Sequence, residues 1–200
     1  DISFDVGIAE KYGSQVHIFD PTPRAKTHFD SLTNGINQNK KVAINNSKTD
    51  FYQIKQENVE KIEFIELGLW DKKEELKFYV PKNPKHVSHS LVNLQKTEDY
   101  FIAKVDRLSN IMKQRNHNHI DLLKIDIEGA EYKVIESILE DKLNIKVLCV
   151  EYDEAYNPLD NKYINRIKDS VNKLIKHGYK IVDGNSNHNY TFILGKEFNN

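Results

Sequence analysis

The residues best placed to do chemistry lie in one stretch, 121–134, which reads Asp-Leu-Leu-Lys-Ile-Asp-Ile-Glu-Gly-Ala-Glu-Tyr-Lys-Val. Ile120, Leu122, Leu123, Ile125 and Ile127 make a near-continuous apolar run, the pattern of a strand covered on both faces in a parallel sheet. Asp126, Glu128 and Glu131 interrupt or close that run. Carboxylates at the carboxyl end of such a strand are costly to desolvate, so their position predicts a crevice open to ligand or water. A carboxylate in a partly dry cleft can have its pKa raised toward that of a useful general base, and Asp126 is the first candidate. Glu131 also suits the first turn of the following helix, where the helix dipole stabilises a negative charge. Gly129 and Ala130 let the chain turn closely into that helix, whose apolar positions are Val134, Ile135, Ile138 and Leu139.

Other strand ends carry further candidates. Residues 16–19 form a short apolar strand that stops at Asp20, and an acidic residue there, about 20 positions beyond a glycine loop, suits ribose hydroxyls. The alternative for Asp20 is a plain Asp-Pro turn. Gly68, Leu69 and Trp70 follow the third strand, where an apolar ring could be read by backbone and side chains; Trp70 serves equally as a core residue beside a turn. Glu151 and Asp153 close the strand over 145–152 and, with Asp126, offer an oxygen-ligand set for Mg2+. The loop over 81–97 contains Ser88, His89 and Ser90, with His89 as an alternative base. His117 and His119 have no metal-site spacing and read as loop residues.

The elements needed to position these residues follow from periodicity. A helix is expected over 2–12, capped by Asp1 or Ser3 and ended by Gly13. Pro23 opens a helix over 25–32, residues 33–41 read as loop, and 49–58 is a weaker helix. A strand within 59–69 and another over 76–80 read as a pair joined by a charged turn. A strand at 101–105, a helix to about residue 115, the strand before Asp126 and its helix follow. Residues 163–177 form the clearest amphipathic helix, and 179–182 with 190–194 form a closing hairpin around Asp183 and Gly184. This alternation predicts one α/β domain over residues 1–200. Its doubly wound, Rossmann-like, mostly parallel sheet would carry a C-terminal antiparallel edge hairpin. Because the chain opens on a helix, a strand and turn are expected before Asp1.

Composition narrows the partners. The 200 residues carry 29 Lys and Arg against 30 Asp and Glu, interspersed, for a formal charge of -1. That argues against nucleic acid or an anionic membrane as partner. A lone cysteine, Cys149, fits a reducing, cytoplasmic setting. No apolar run approaches the roughly 20 residues of a membrane span.

Taken in order, Phe19-Asp20-Pro21-Thr22-Pro23, Gly68-Leu69-Trp70-Asp71, Ser88-His89-Ser90, Leu123 to Glu131 and Val150-Glu151 resemble the FkbM-type S-adenosylmethionine-dependent methyltransferases. The specific element is Lys-Ile-Asp-Ile-Glu-Gly-Ala-Glu. The resemblance implies a class I methyltransferase-like fold and S-adenosylmethionine as cofactor, held by Asp20, Gly68, Leu69, Trp70 and Asp126. It further implies catalysis by Asp126 or His89, and acceptor contacts from Ser88, Glu128, Glu151 and Asp153. The family's first strand and glycine loop have no counterpart here. The expected activity is O-methylation of a sugar, glycan or small hydroxyl metabolite. Its rivals are a nucleotide-binding oxidoreductase and a non-catalytic interaction module that keeps the fold.

Overall fold

A computed structural model describes residues 2–45, 47–81 and 89–195, and the chain divides into two compact units, Asp1–Gly68 and Leu69–Asn200. Ser88 lies outside the described residues.

In the first unit, α1 (Ser3–Tyr12) leads to β1 (Val16–Phe19), α2 (Pro23–Asn37), a short α3 (Gln56–Val59) and β2 (Ile62–Ile65). Gly13 ends α1 at a φ of 64°, as its position predicts, but the N-cap is Ile2 rather than Asp1 or Ser3. β1 and β2 pair in parallel, from Val16 opposite Ile62 to Phe19 opposite Ile65. Thr22 caps α2 by accepting the Ala25 N–H at 3.4 Å, with Pro23 at the first helical position. This helix continues through residues 33–37, expected as loop. Leu32 is fully buried and Ile36, one turn on, packs on the same cluster, which outweighs the local preference against Gly35. A Cβ at Gly35 would lie 2.3 Å from Val42 Cγ2, so the missing side chain lets the returning chain close on the helix. The helix expected over 49–58 shrinks to its last turn, because Phe51 is drawn into an antiparallel bridge with Ala43.

β3 (Gly68–Trp70), which starts at the boundary residue Gly68, forms a three-stranded sheet with β4 (Glu74–Tyr79) and β5 (Tyr100–Arg107) in the order β3-β5-β4. The expected hairpin across the charged turn is therefore not formed: β5 lies between its two arms. β5 matches all six residues of β4, stacking Phe101 on Phe78 at 5.5 Å and setting Lys104 opposite Glu75. The three residues of β3 offer fewer such pairs.

The larger sheet has the order β6-β7-β9-β8, built from β6 (Ile120–Ile125), β7 (Ile145–Glu151), β8 (Tyr179–Gly184) and β9 (Asn189–Leu194). β6 and β7 are parallel, while β9 runs antiparallel to both β7 and β8. The C-terminal hairpin forms as predicted, with β8 at the edge. Helices α4 (Leu108–Gln114), α5 (Glu131–Glu140) and α6 (Tyr163–Lys176) pack on this sheet. Val134, Ile135, Ile138 and Leu139 of α5 are all buried, as their spacing requires, and each fully buried aliphatic side chain contributes about 2 kcal/mol.

The class is thus α/β, with several mixed sheets. Among the described pairings the strands form three sheets rather than one doubly wound parallel sheet, and β6 has a neighbour, β7, on one side. Periodicity reports which residues are buried; it does not report which distant strand supplies a neighbour. No helix among the described residues is long and apolar enough to cross a membrane.

Candidate active site

Parallel β6 and β7 end side by side, Ile125 opposite Val150, and the chemistry-bearing residues follow both ends. After β6 the chain makes a tight turn through Asp126, Ile127, Glu128 and Gly129 before α5. Glu128 has a φ of 53° and Gly129 one of 97°, both in the left-handed region. A Cβ at residue 129 would also lie 3.1 Å from the Leu94 side chain, so this position demands glycine twice over. Three successive backbone N–H groups of the turn are captured by two carboxyls. Ile127 and Gly129 donate to Glu131 Oε1 at 3.3 and 2.9 Å, and Glu128 donates to Asp153 Oδ2 at 2.9 Å. Asp153 opens the short 3-10 turn Asp153–Ala155 that follows β7.

Held this way, the turn brings carboxylate oxygens of Asp126, Glu128 and Asp153 within 4.8 Å of one another. Glu151, also expected here, stands outside that trio. It is joined to it through Lys124, whose ammonium lies 2.5 Å from Asp126 Oδ2 and 4.0 Å from Glu151. The Mg2+ set expected from Asp126, Glu151 and Asp153 is therefore not the grouping that forms, and nothing beyond acidity points to a cation in it. Asp126 is exposed, whereas Asp153 and Glu131 are buried, Glu131 completely. Burial pushes the Asp153 carboxyl well above the usual carboxylate range, with the charges of Glu128, Glu131 and Asp126 adding to the rise. Burial likewise raises Glu131, against the hydrogen bonds it accepts from Gly129 and Ile127. Glu151 is raised by burial and by the Asp126 charge, with Lys124 opposing.

The remaining predicted residues are placed as follows. His89 lies edge-on to Phe101 at 5.5 Å between ring centres. Its neighbour Ser90, buried, donates to the Glu128 carbonyl at 2.5 Å and accepts the Val92 N–H, so the loop carrying His89 is tied to the acidic turn. Asp20, in the first unit, accepts the Thr22 N–H at 2.8 Å through Oδ1. Gly68 is buried, Trp70 is half-buried, and Leu69 packs against the core of the second unit. Asp71 lies just past β3. Its Oδ1 is buried with no donor among the described residues, while Arg107 donates to its backbone carbonyl at 2.8 Å. The part of Ser90 was legible only as a hydroxyl near a histidine.

A family model for the methyltransferase FkbM domain matches residues 3–181. The chain belongs to that methyltransferase family. A search of curated proteins and a search of solved structures each gave no match.

Proposed function

We propose that this protein is an S-adenosylmethionine-dependent O-methyltransferase acting on a hydroxyl of a sugar, glycan or small metabolite. The observation that carries the reading is the convergence of Asp126, Glu128 and Asp153 beyond two parallel strands in a chain of the FkbM methyltransferase family. The cofactor, when bound, supplies an electrophilic methyl group on a sulfonium. The acceptor oxygen forms the new C–O bond as the C–S bond breaks, and its proton must leave.

Asp126 is the proposed proton acceptor: it is exposed at the turn, and Lys124 holds one of its oxygens while the other can face a hydroxyl. His89 is the alternative base, on a loop that Ser90 fastens to the same turn. Glu128, Glu151 and Asp153, with Ser88, are the proposed acceptor contacts. Neighbouring carboxylates suit a polyhydroxylated acceptor, since each can take a hydrogen bond from one hydroxyl. For the cofactor, Asp20 is assigned to the ribose hydroxyls, and Gly68, Leu69 and Trp70 to the adenine. A cytoplasmic setting agrees with the lone, half-buried Cys149.

The test is transfer of a labelled methyl group to a panel of sugars and small alcohols. Asp126→Asn should lower turnover by about 100-fold while leaving the fold intact by circular dichroism. Undiminished turnover in a folded Asp126→Asn variant would remove Asp126 from the chemistry.

A further inference from the structure

We infer that the outer edge of β8 is a dimer interface, where a second copy of this chain pairs its own β8 antiparallel to the first about a two-fold axis. The interface follows from the fold of the second unit and does not depend on the methyltransferase reading.

β8 ends the sheet order β6-β7-β9-β8, so one side of it carries backbone N–H and C=O groups that meet no strand among the described residues. Of its six residues only Tyr179 is buried, and Lys180 to Gly184 are all exposed. Ile181 is 45% exposed and Val182 54%. Two more exposed aliphatic side chains stand on adjoining elements: Ile193 on β9, and Ile175 in the last turn of α6, which packs against β8. Single apolar side chains are ordinary on a surface, whereas several along an unpaired strand suit a partner.

Natural sheet edges are guarded by charges or bulges, and β8 has both. Here the bulge changes what the charges do. Lys180 opposes Ile193 and Asp183 opposes Thr191, with the register slipping between Ile181 and Asp183. Opposed residues of an antiparallel pair share a face of the sheet, and Thr191 and Ile193, two apart on β9, share a face with each other. Lys180 and Asp183 therefore lie on one face, although residues three apart on a regular strand fall on opposite faces. Among the described residues neither has an ion pair within its own chain.

This placement makes the edge self-complementary. A two-fold axis perpendicular to the sheet keeps every residue on its own face, and each contact across it occurs twice. With the axis between Ile181 and Val182, Lys180 meets Asp183 of the second copy on the shared face, and Asp183 meets its Lys180. Tyr179 and Gly184, which oppose Leu194 and Tyr190, share the other face, so the same register sets them against one another. Ile181 and Val182 of both copies come to the centre, where pairing removes their apolar surface from water. A shift of one residue either way loses both ion pairs, so charge selects this register.

Sedimentation of the full-length protein over a concentration series tests the interface without any methyl donor or acceptor. The wild type should be a dimer with a dissociation constant of about 10 μM or tighter. Lys180→Asp sets like charges against each other at two points and should weaken association about 100-fold. Combining Lys180→Asp with Asp183→Lys exchanges the charges and should restore the wild-type constant to within about threefold. Val182→Lys, which brings two ammonium groups to the axis, should leave a monomer. All three positions are exposed, so each variant should keep the wild-type circular dichroism. A wild type that stays monomeric up to about 100 μM would overturn the inference. So would a dimer indifferent to Val182→Lys and Lys180→Asp, or a double variant as weak as Lys180→Asp alone.

Discussion

Two buried glutamates in the second unit, Glu131 and Glu154, have opposite surroundings. Glu154, almost fully buried, is met by Arg166 through both Nε and Nη2, by the Tyr132 hydroxyl at 2.9 Å and by the Leu159 N–H. Burial pushes its carboxyl up, but the hydrogen bonds from Arg166 and Tyr132 outweigh that and hold it below the usual carboxylate range. Glu131, equally buried and one residue before Tyr132, accepts the Ile127 and Gly129 N–H groups through Oε1, while its Oε2 is buried with no donor among the described residues. The first arrangement pins the segment after β7 to α6. The second sets a carboxyl whose ionisation burial disfavours beneath the turn that presents Asp126 and Glu128.

Substitutions that break this contrast should differ in size and sign. The largest stability effect is expected from Arg166→Ala, which strands a buried carboxylate: a loss of about 3 kcal/mol in urea unfolding at neutral pH. Next, the same chemical change at the two glutamates should separate them. Glu154→Gln removes the charge that Arg166 needs and should cost about 2 kcal/mol, whereas Glu131→Gln should be neutral near pH 6 and stabilising above it. The pH profiles should mirror each other. The contribution of Glu154 is present above its unfolded value and lost as pH falls below about 4; the penalty at Glu131 appears as pH rises. The smallest effect serves as a control. Lys173→Ala breaks an exposed 2.5 Å pair with Glu136 and should cost at most about 0.5 kcal/mol in the same assay, because solvent screens both partners. An equal loss at Lys173 and Arg166 would mean that burial does not govern the difference.

Much of this was legible in the sequence. The apolar run through Ile125 and the carboxylates that end it located β6 and its turn, and the spacing of Val134, Ile135, Ile138 and Leu139 located α5 and its buried face. Glu131 was expected at the start of that helix, and it is there. The hold of Asp153 on the Glu128 N–H was not legible, because that bond joins two strand ends separated by α5 and depends on β6 and β7 lying side by side. The same physics explains the strand pairing that was missed. A short charged turn between two apolar stretches looks like a hairpin locally, and only the longer match of β5 with β4 decides otherwise. Ser90 and Asp71 gained their places from tertiary neighbours, which spacing along the chain does not encode.

The most direct test of the account is a calorimetric titration of S-adenosylhomocysteine into the full-length protein, with NAD as the control. Saturable binding of the sulfur ligand alone, weakened about tenfold when Asp20→Ala removes a charged hydrogen-bond acceptor, is the predicted result. Binding of NAD in its place, or no heat from a protein shown to be folded, would contradict it.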